Sequence, residues 1–240
     1  FLDKSGFPYS DMYSLRNDAS KRNYYRLINA KKPLLLMDSS MEKDSLKNFI
    51  FLSSWLRKKG YSAPEIYYQS LSKGYCILQD FGDSTFSNIK SRNMIERYKL
   101  TLDLLTSLSK IESPERLPFY SKEIFMRELN IFIEWYLFYK KNKLTNALSS
   151  WKELWNNLFE EASKYNKKSI VLRDLHVDNL FWLNNEKGLK KIGLIDFQDA
   201  LVGQPCYDLT SLLQDVRINL SLHQQYSLYK HYINLNNVNG

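Results

Sequence analysis

The chain is poor in the residues that staple or punctuate small folds: two cysteines, eight glycines and six prolines occur in 240 residues. Cys76 and Cys206 lie far apart and form no Cys-x-x-Cys pair, which leaves no basis for a disulfide framework or a cysteine-rich zinc site. Both read as small buried apolar residues. The three histidines have no metal-ligand spacing. No apolar run reaches the roughly eighteen residues a membrane helix needs. No signal-peptide pattern follows Phe1, so reduced cytoplasm is the expected compartment. The missing initial Met suggests a trimmed or partial chain. Neither G-x-x-x-x-G-K-[ST] nor G-x-G-x-x-G is present, which argues against a P-loop NTPase.

What is present suits a packed protein. Hydrophobic residues make up 44% and aromatics 15%, including 17 Tyr and 13 Phe, which excludes a disordered chain. The formal net charge is +8, but the basic residues are scattered. Short runs such as Arg57-Lys58-Lys59 and Lys140-Lys141 read as solvated surface. Charge alone gives a nucleic-acid partner no support beyond itself, and no nucleic acid or membrane partner is expected.

The pattern changes along the chain. Asn23–Ile28 and Pro33–Met37 read as strands, followed by a helix carrying Leu46, Phe49, Leu52 and Leu56 that should stop near Gly60. Pro64–Tyr68 and Tyr75–Gln79 read as two more strands around Ser72-Lys73-Gly74. Residues 91–166 keep helical spacing, broken before Pro114 and Pro118. The aromatic stripe over 132–139 reads as core. Ile170–Leu172 is strand-like. Leu180–Leu183 and Ile192–Ile195 form a hairpin around a turn at 184–188. Helical spacing returns through Leu209, Leu212, Leu213 and Val216, with Asp208 as a candidate N-cap. A boundary near residues 80–88 divides a sheet-rich part, 1–83, from a helical part, 84–240.

The hairpin carries the chemistry. Asn179 precedes its first strand and Asp196 ends its second, so antiparallel pairing makes them neighbours. An amide oxygen and a carboxylate are hard ligands suited to Mg²⁺, which completes its shell with water and phosphate oxygens. Asp174, five residues before Asn179, could accept the proton of an attacking hydroxyl. Asp-x-x-x-x-Asn is weak alone. Followed by strand, turn and Ile195-Asp196-Phe197, it matches the catalytic segment of kinase-like folds.

Arg173-Asp174-Leu175-His176-Val177-Asp178-Asn179 resembles the loop of the aminoglycoside phosphotransferase and choline kinase superfamily. Further strings narrow the likeness: Asp18-Ala19-Ser20 before Tyr24-Tyr25-Arg26, Leu36-Met37-Asp38, Gln79-Asp80-Phe81-Gly82-Asp83, Arg127-Glu128-Leu129, Glu134-Trp135-Tyr136 and Ile195–Ala200 with Gly203 and Tyr207-Asp208-Leu209. Together they resemble the bacterial kinases that phosphorylate N-acetylmuramate and N-acetylglucosamine at C1 in cell-wall recycling. The resemblance implies an α+β, two-lobed protein-kinase-like fold, with ATP as co-substrate, Mg²⁺ as cofactor and an amino-sugar acceptor. It makes Asp174 the catalytic base and Asn179 and Asp196 the metal ligands. It puts Asp18, Ala19 and Ser20 over the phosphates, Gln79, Asp80 and Phe81 at the adenine hinge, and Glu128, Glu134 and Trp135 towards the acceptor. It also implies that Asp199 and Asp208 hold the loop and helix start. Chains of this kind continue with further helices past the region matching Gly240.

Three positions depart from the kinase pattern. Leu35-Leu36-Met37-Asp38 has no Lys for the α- and β-phosphates, a charge that Lys21, Arg22 or Arg26 would have to supply. Gln198 stands where protein kinases have the Gly of Asp-Phe-Gly. Leu172 replaces the His two residues before the base and should pack in the lobe. Another small acceptor, such as an aminoglycoside or choline, and a nucleotide-binding pseudokinase remain the competing readings.

Overall fold

The computed structural model describes residues 1–15, 21–88, 93–137, 147–164 and 168–237. A five-stranded antiparallel sheet contains β1 (Asp11–Ser14), β2 (Asn23–Ile28), β3 (Leu34–Asp38), β4 (Ile66–Ser70) and β5 (Tyr75–Gln79), in the order β1-β2-β3-β5-β4. Period-two alternation gives it two apolar faces. Leu27, Leu34, Leu36 and Ile77 share one face, covered by Phe1, Phe7 and Tyr67 from the chain start and β4. Met37, Cys76 and Leu78 share the other with helix α2 (Lys43–Lys58). Leu46, Phe49, Leu52 and Leu56 of α2 are buried there, each worth about 1.5–3 kcal/mol of transfer free energy. The helix ends as expected: Gly60 has φ 92°, and the Tyr61 N–H donates to Leu56 O at 3.0 Å.

The β4–β5 turn needs its glycine for a steric reason as well. Gly74 has φ 81°, and a Cβ there would stand 2.5 Å from Ser40 Cα. The strands of 23–28, 34–38, 66–70 and 75–79 fall where the sequence puts them. Strand β1 and the short helix α1 (Leu2–Ser5) were not legible. Neither has apolar spacing of its own, and the exposed β1 exists through pairing with β2.

Beyond the sheet the chain is mostly helical. Helix α3 (Met94–Leu108) buries Tyr98, Leu102, Leu105 and Leu108 and packs on α7 (Leu222–Asn237). Helix α4 (Lys122–Ile131) starts at a Ser121 cap and runs into a π-helical turn, Phe132–Leu137; α5 (Ala147–Ser163) packs against α4. Strands β6 (Ser169–Val171) and β9 (Leu201–Gly203) pair, as do β7 (Leu180–Trp182) and β8 (Ile192–Leu194); α6 (Cys206–Leu213) follows. One core joins α2, the hairpin, α3, α6 and α7. No helix among the described residues is long and apolar enough to cross a membrane.

Four expectations are corrected. Phe132, Trp135 and Tyr136 are exposed at 44%, 74% and 51%, so this part of the aromatic stripe is not core; Tyr139 lies outside the described residues. The π-helical turn breaks the spacing that would have aligned the rings. The helix after Pro205 stops at Leu213, leaving Val216 94% exposed. Asp208 is inside α6 and caps nothing there; Pro205 holds the N-cap position. Cys206, at the first turn of that helix, is exposed, while Cys76 is buried.

Candidate active site

Strand β6 delivers the chain into a loop that two buried carboxylates hold from behind. Asp208 accepts the N–H groups of Leu172 and Arg173 at 2.7 and 3.0 Å. Asp215 accepts that of Val177 at 2.9 Å. Burial pushes Asp208 up to about 7 despite its two hydrogen bonds. At Asp215 burial acts the same way but loses to the Val177 and Arg217 donors, which bring the group below its ordinary value. Arg173 takes a left-handed φ of 71° within this anchored stretch, turning the chain sharply before Asp174. Leu172 packs in the core, as its apolar character implied.

Asp174 is left with its carboxylate exposed and without a hydrogen bond or ion pair among the described residues. Partial desolvation by the loop walls, then the negative charge of Asp196, raise its pKa above the ordinary carboxylate value. Its carbonyl accepts from Asn179 Nδ2 at 2.9 Å, and the same amide nitrogen lies 3.1 Å from His176 Nε2. This fixes the amide so that Oδ1 is its open end. His176 therefore meets a side chain of the loop.

The hairpin aligns Leu180 with Leu194, and Ile195 N–H donates to Asn179 O at 3.2 Å. Asn179 thus lies opposite Ile195, the residue before Asp196, and Asn179 and Asp196 line one cleft. The 61–64 and 84–86 segments brace the hairpin: Leu194 N–H donates to Ser62 O, Trp182 N–H to Ser84 O and Phe86 N–H to Leu180 O. Asp196 has φ 59°, and its contacts with Arg22 and Gln198 both fall on Oδ1. Among the described residues no side-chain hydrogen bond falls on Oδ2. No group of three or more His, Cys, Asp or Glu side chains suited to a metal occurs among the described residues. Two neighbouring oxygen donors, one of them anionic, instead fit a Mg²⁺ that takes its other ligands from water and phosphate.

A cleft of about 430 Å³ separates the sheet from the hairpin. Tyr24, Leu35, Leu78, Phe81, Phe181 and Ile195 give it apolar walls, while Arg22, Asn179 and Asp196 lie on its lining as polar groups. At its rim, Gln79 N–H donates to Glu65 O and Asp80 N–H to Pro33 O, so neither amide is open to a ligand; among the described residues no backbone bond is made by the Phe81 N–H. The Asp80 side chain is held by Arg26 and by Gly82 N–H. Arg26 also binds Asp83 at 2.9 Å, and these two partners hold its guanidinium in the charged form against desolvation. Asp18, Ala19 and Ser20 lie outside the described residues.

The acceptor-side residues do not gather. Glu128 accepts from Arg173 Nη2 and from Tyr120 Oη, both at 2.5 Å, and Tyr207 Oη is 3.4 Å away. It ties α4 to the loop beside Asp174. Glu134 and Trp135 are exposed on the π-helical turn, with no contact among the described residues joining them to Asp174. Between α4, α5, β9 and α6 lies a second cavity of about 920 Å³, walled by Phe119, Tyr120, Phe125, Trp155, Phe159 and Tyr207. Its members come from four elements with no common period, so no local pattern announced it. The two carboxylates behind the loop were partly signalled: Asp208 was read as a support, but Asp215 was not.

Residues 13–235 match the Phosphotransferase enzyme family. The chain belongs to that family. It is a kinase-type transferase with a hydroxyl acceptor, on a protein-kinase-like fold. Among curated relatives, it is 25% identical to an N-acetylmuramate/N-acetylglucosamine kinase of Caulobacter vibrioides, over 97% of this chain and 75% of the relative. It is 28% identical to the enzyme of the same description from Pseudomonas aeruginosa, over 88% of this chain and 62% of the relative. The chain therefore spans under two thirds of the Pseudomonas protein. Among solved structures, ADP-bound aminoglycoside phosphotransferase APH(2'')-Ib superposes with TM-score 0.70 at 17% identity, over 97% of this chain and 80% of that one. Choline kinase LicA from Streptococcus pneumoniae superposes with TM-score 0.67 at 11% identity, over 93% and 74%. At such identities the structures establish the shared fold of this phosphotransferase and leave its acceptor open.

Proposed function

We propose that this phosphotransferase moves the γ-phosphoryl group of ATP onto the anomeric hydroxyl of an amino sugar of the N-acetylmuramate or N-acetylglucosamine type. The observation that carries the catalytic part is the Asp174 carboxylate, unpartnered among the described residues and five positions before Asn179, at a hairpin that sets Asn179 opposite Ile195, the residue before Asp196. The curated relatives support the acceptor.

In this reading the adenine lies between Leu35, Leu78, Phe81, Phe181 and Ile195, with the hinge at Gln79-Asp80-Phe81. Phe81 N–H is its available donor. Asp18, Ala19 and Ser20, between β1 and β2 in sequence, cover the phosphates. Asn179 and Asp196 would hold Mg²⁺, which would neutralise phosphate charge there. Asp174 orients the acceptor hydroxyl and takes its proton as the new oxygen–phosphorus bond forms. The bond from γ-phosphorus to the bridging oxygen breaks in line, and ADP leaves with that electron pair. The raised pKa of Asp174 makes its carboxylate a better proton acceptor than an ordinary aspartate.

The cavity beside Tyr207 suits the acceptor, because aromatic faces match the C–H faces of a sugar ring. Glu128 acts there through Arg173. The lobes divide near Asp83, and the activity belongs to cytoplasmic cell-wall recycling. A coupled ADP-release assay with Mg²⁺ tests this against N-acetylmuramate, N-acetylglucosamine, other hexoses, an aminoglycoside and choline. Turnover confined to the amino sugars and lost in Asp174→Ala is the expected result. Turnover on aminoglycoside or choline alone replaces the acceptor; equal turnover in Asp174→Ala removes the base.

A further inference from the structure

Two departures from the kinase pattern, the missing third-strand Lys and the Gln in place of the Asp-Phe-Gly glycine, meet at one point in space. Arg22, at the entry to β2, is 7% exposed and is one of the residues lining the cleft. Its Nη1 donates to Gln198 Oε1 at 2.7 Å and its Nη2 to Asp196 Oδ1 at 2.7 Å, while Glu42 at the start of α2 lies 3.9 Å from Nε. Gln198 is 2% exposed, and its Nε2 donates to Asp196 Oδ1 at 3.0 Å and to Asp199 Oδ2 at 3.1 Å. The amide orientation is forced. Reversing it would set NH₂ against a guanidinium and oxygen against two carboxylates. Arg22, Gln198 and Asp196 thus close a three-membered ring of hydrogen bonds between the sheet and the hairpin.

The cleft lining gives the ring a purpose. Among the described residues it contains two cations, Arg22 and Arg26, against four carboxylates, Asp80, Asp83, Asp178 and Asp196. A polyphosphate cannot enter such a lining without cations facing it. Arg26 is engaged by Asp80 and Asp83 at the hinge end. Arg22 is the lining cation beside the Asp196 and Asn179 pair. Both bonds to Asp196 fall on Oδ1, which holds the carboxylate in one orientation. A left-handed φ at an Asp costs energy that surrounding contacts must offset, and this ring supplies them.

We propose that Arg22 and Gln198 act as one clamp: they position the Asp196 carboxylate for the metal, and Arg22 supplies the phosphate-facing charge that the third strand lacks. A Lys on that strand could offer the charge but not the planar fork that holds Gln198 and Asp196 at once. Gln198 is therefore required where a glycine would leave the second donor of the fork without an acceptor. Both are positioning residues, and the inference rests on the nucleotide and metal sites proposed above.

The test is equilibrium binding, read without turnover. Adenosine, ATP alone and ATP with titrated Mg²⁺ are measured by calorimetry on the wild type, Arg22→Met, Arg22→Lys, Gln198→Met and the Arg22→Met/Gln198→Met pair. Losing a charge-assisted bond should weaken Mg·ATP by at least about tenfold in Arg22→Met while adenosine stays within about twofold. Arg22→Lys should regain part of the ATP affinity but keep a raised Mg²⁺ half-saturation. Gln198→Met should raise that half-saturation a few-fold, by about the worth of one neutral hydrogen bond, and leave metal-free ATP unchanged. The double variant should be weaker than the wild type by less than the product of the two single effects, because members of one network are not additive. Independent, fully multiplicative effects overturn the clamp. So does equal loss of adenosine and Mg·ATP, which would mark a folding role only. Wild-type Mg·ATP binding with unaffected variants overturns the clamp alone; no Mg·ATP binding by the wild type overturns the reading beneath it as well.

Discussion

Behind the loop from Leu172 to Asn179 stand two carboxylates, Asp208 and Asp215, that are 2% and 8% exposed and accept backbone N–H groups. Between α4 and α5 stand rings instead. Phe125 meets Trp155 and Phe159, and Phe132 stacks on Trp151 at 5.6 Å with 44% of its own surface in solvent. The first arrangement is directional: each donor has one acceptor, and moving the backbone by an ångström breaks the bond. The second is tolerant, because stacked and tilted rings gain similar energy over a range of geometries. A proton acceptor and two metal ligands need the first kind of support. A surface that grips the faces of a sugar can be built from the second.

The largest test of this contrast is Asp174→Ala. The carboxylate carries no bond that holds the loop, so turnover should fall by about 10²–10⁴ while the melting temperature stays unchanged. A lower melting temperature would show that Asp174 is structural. The pH profile adds a sign. With its pKa raised, Asp174 gains its proton at a higher pH than an ordinary aspartate does, so kcat/KM should fall as pH falls through that raised value. A rate that stays flat down to pH values near the ordinary carboxylate pKa, about 4, would oppose the assignment.

Asp208→Ala should cost about 2–5 kcal/mol of stability in denaturant melts, by stranding the buried Leu172 and Arg173 N–H groups. Its folded pKa of about 7 lies above the ordinary 3.8. The folded state therefore holds a proton that the unfolded state has released, and this contribution is full below about 4 and lost as pH rises through about 7. Asp208→Asn should remove that slope. Glu128→Gln should weaken the partly buried tie to Arg173 by about 1–2 kcal/mol and lower turnover, since Arg173 precedes the base. Smallest is Trp135→Ala, within about 0.5 kcal/mol of wild type by denaturant melts because the ring is 74% exposed. A larger loss would mean that the outer face of α4 is as exactingly packed as the loop.

Much of this was legible in the chain. The spacing of Asp174, Asn179 and Asp196 around two short apolar runs was enough to bring Asn179 and Asp196 together, because a hairpin has one register that buries Leu180, Ile192 and Leu194. The stripe Leu46, Phe49, Leu52 and Leu56 and the four strands beside it follow from period alone. The aromatic stripe failed at Phe132, Trp135 and Tyr136 because a π-helical turn changes the angle per residue, which composition does not report.

The sequence by itself determined which residues are candidates for the proposed chemistry and that a hairpin presents them, since both depend on side-chain type and on periods of two and 3.6 residues. Only the tertiary structure decided what holds them. Arg22 and Gln198 are separated by 176 positions and Leu172 and Asp208 by 36, and hydrogen bonds at such separations leave no period to read. They exist because the fold closes the sheet over the hairpin and sets α6 behind the loop, where a buried charge must find its partners.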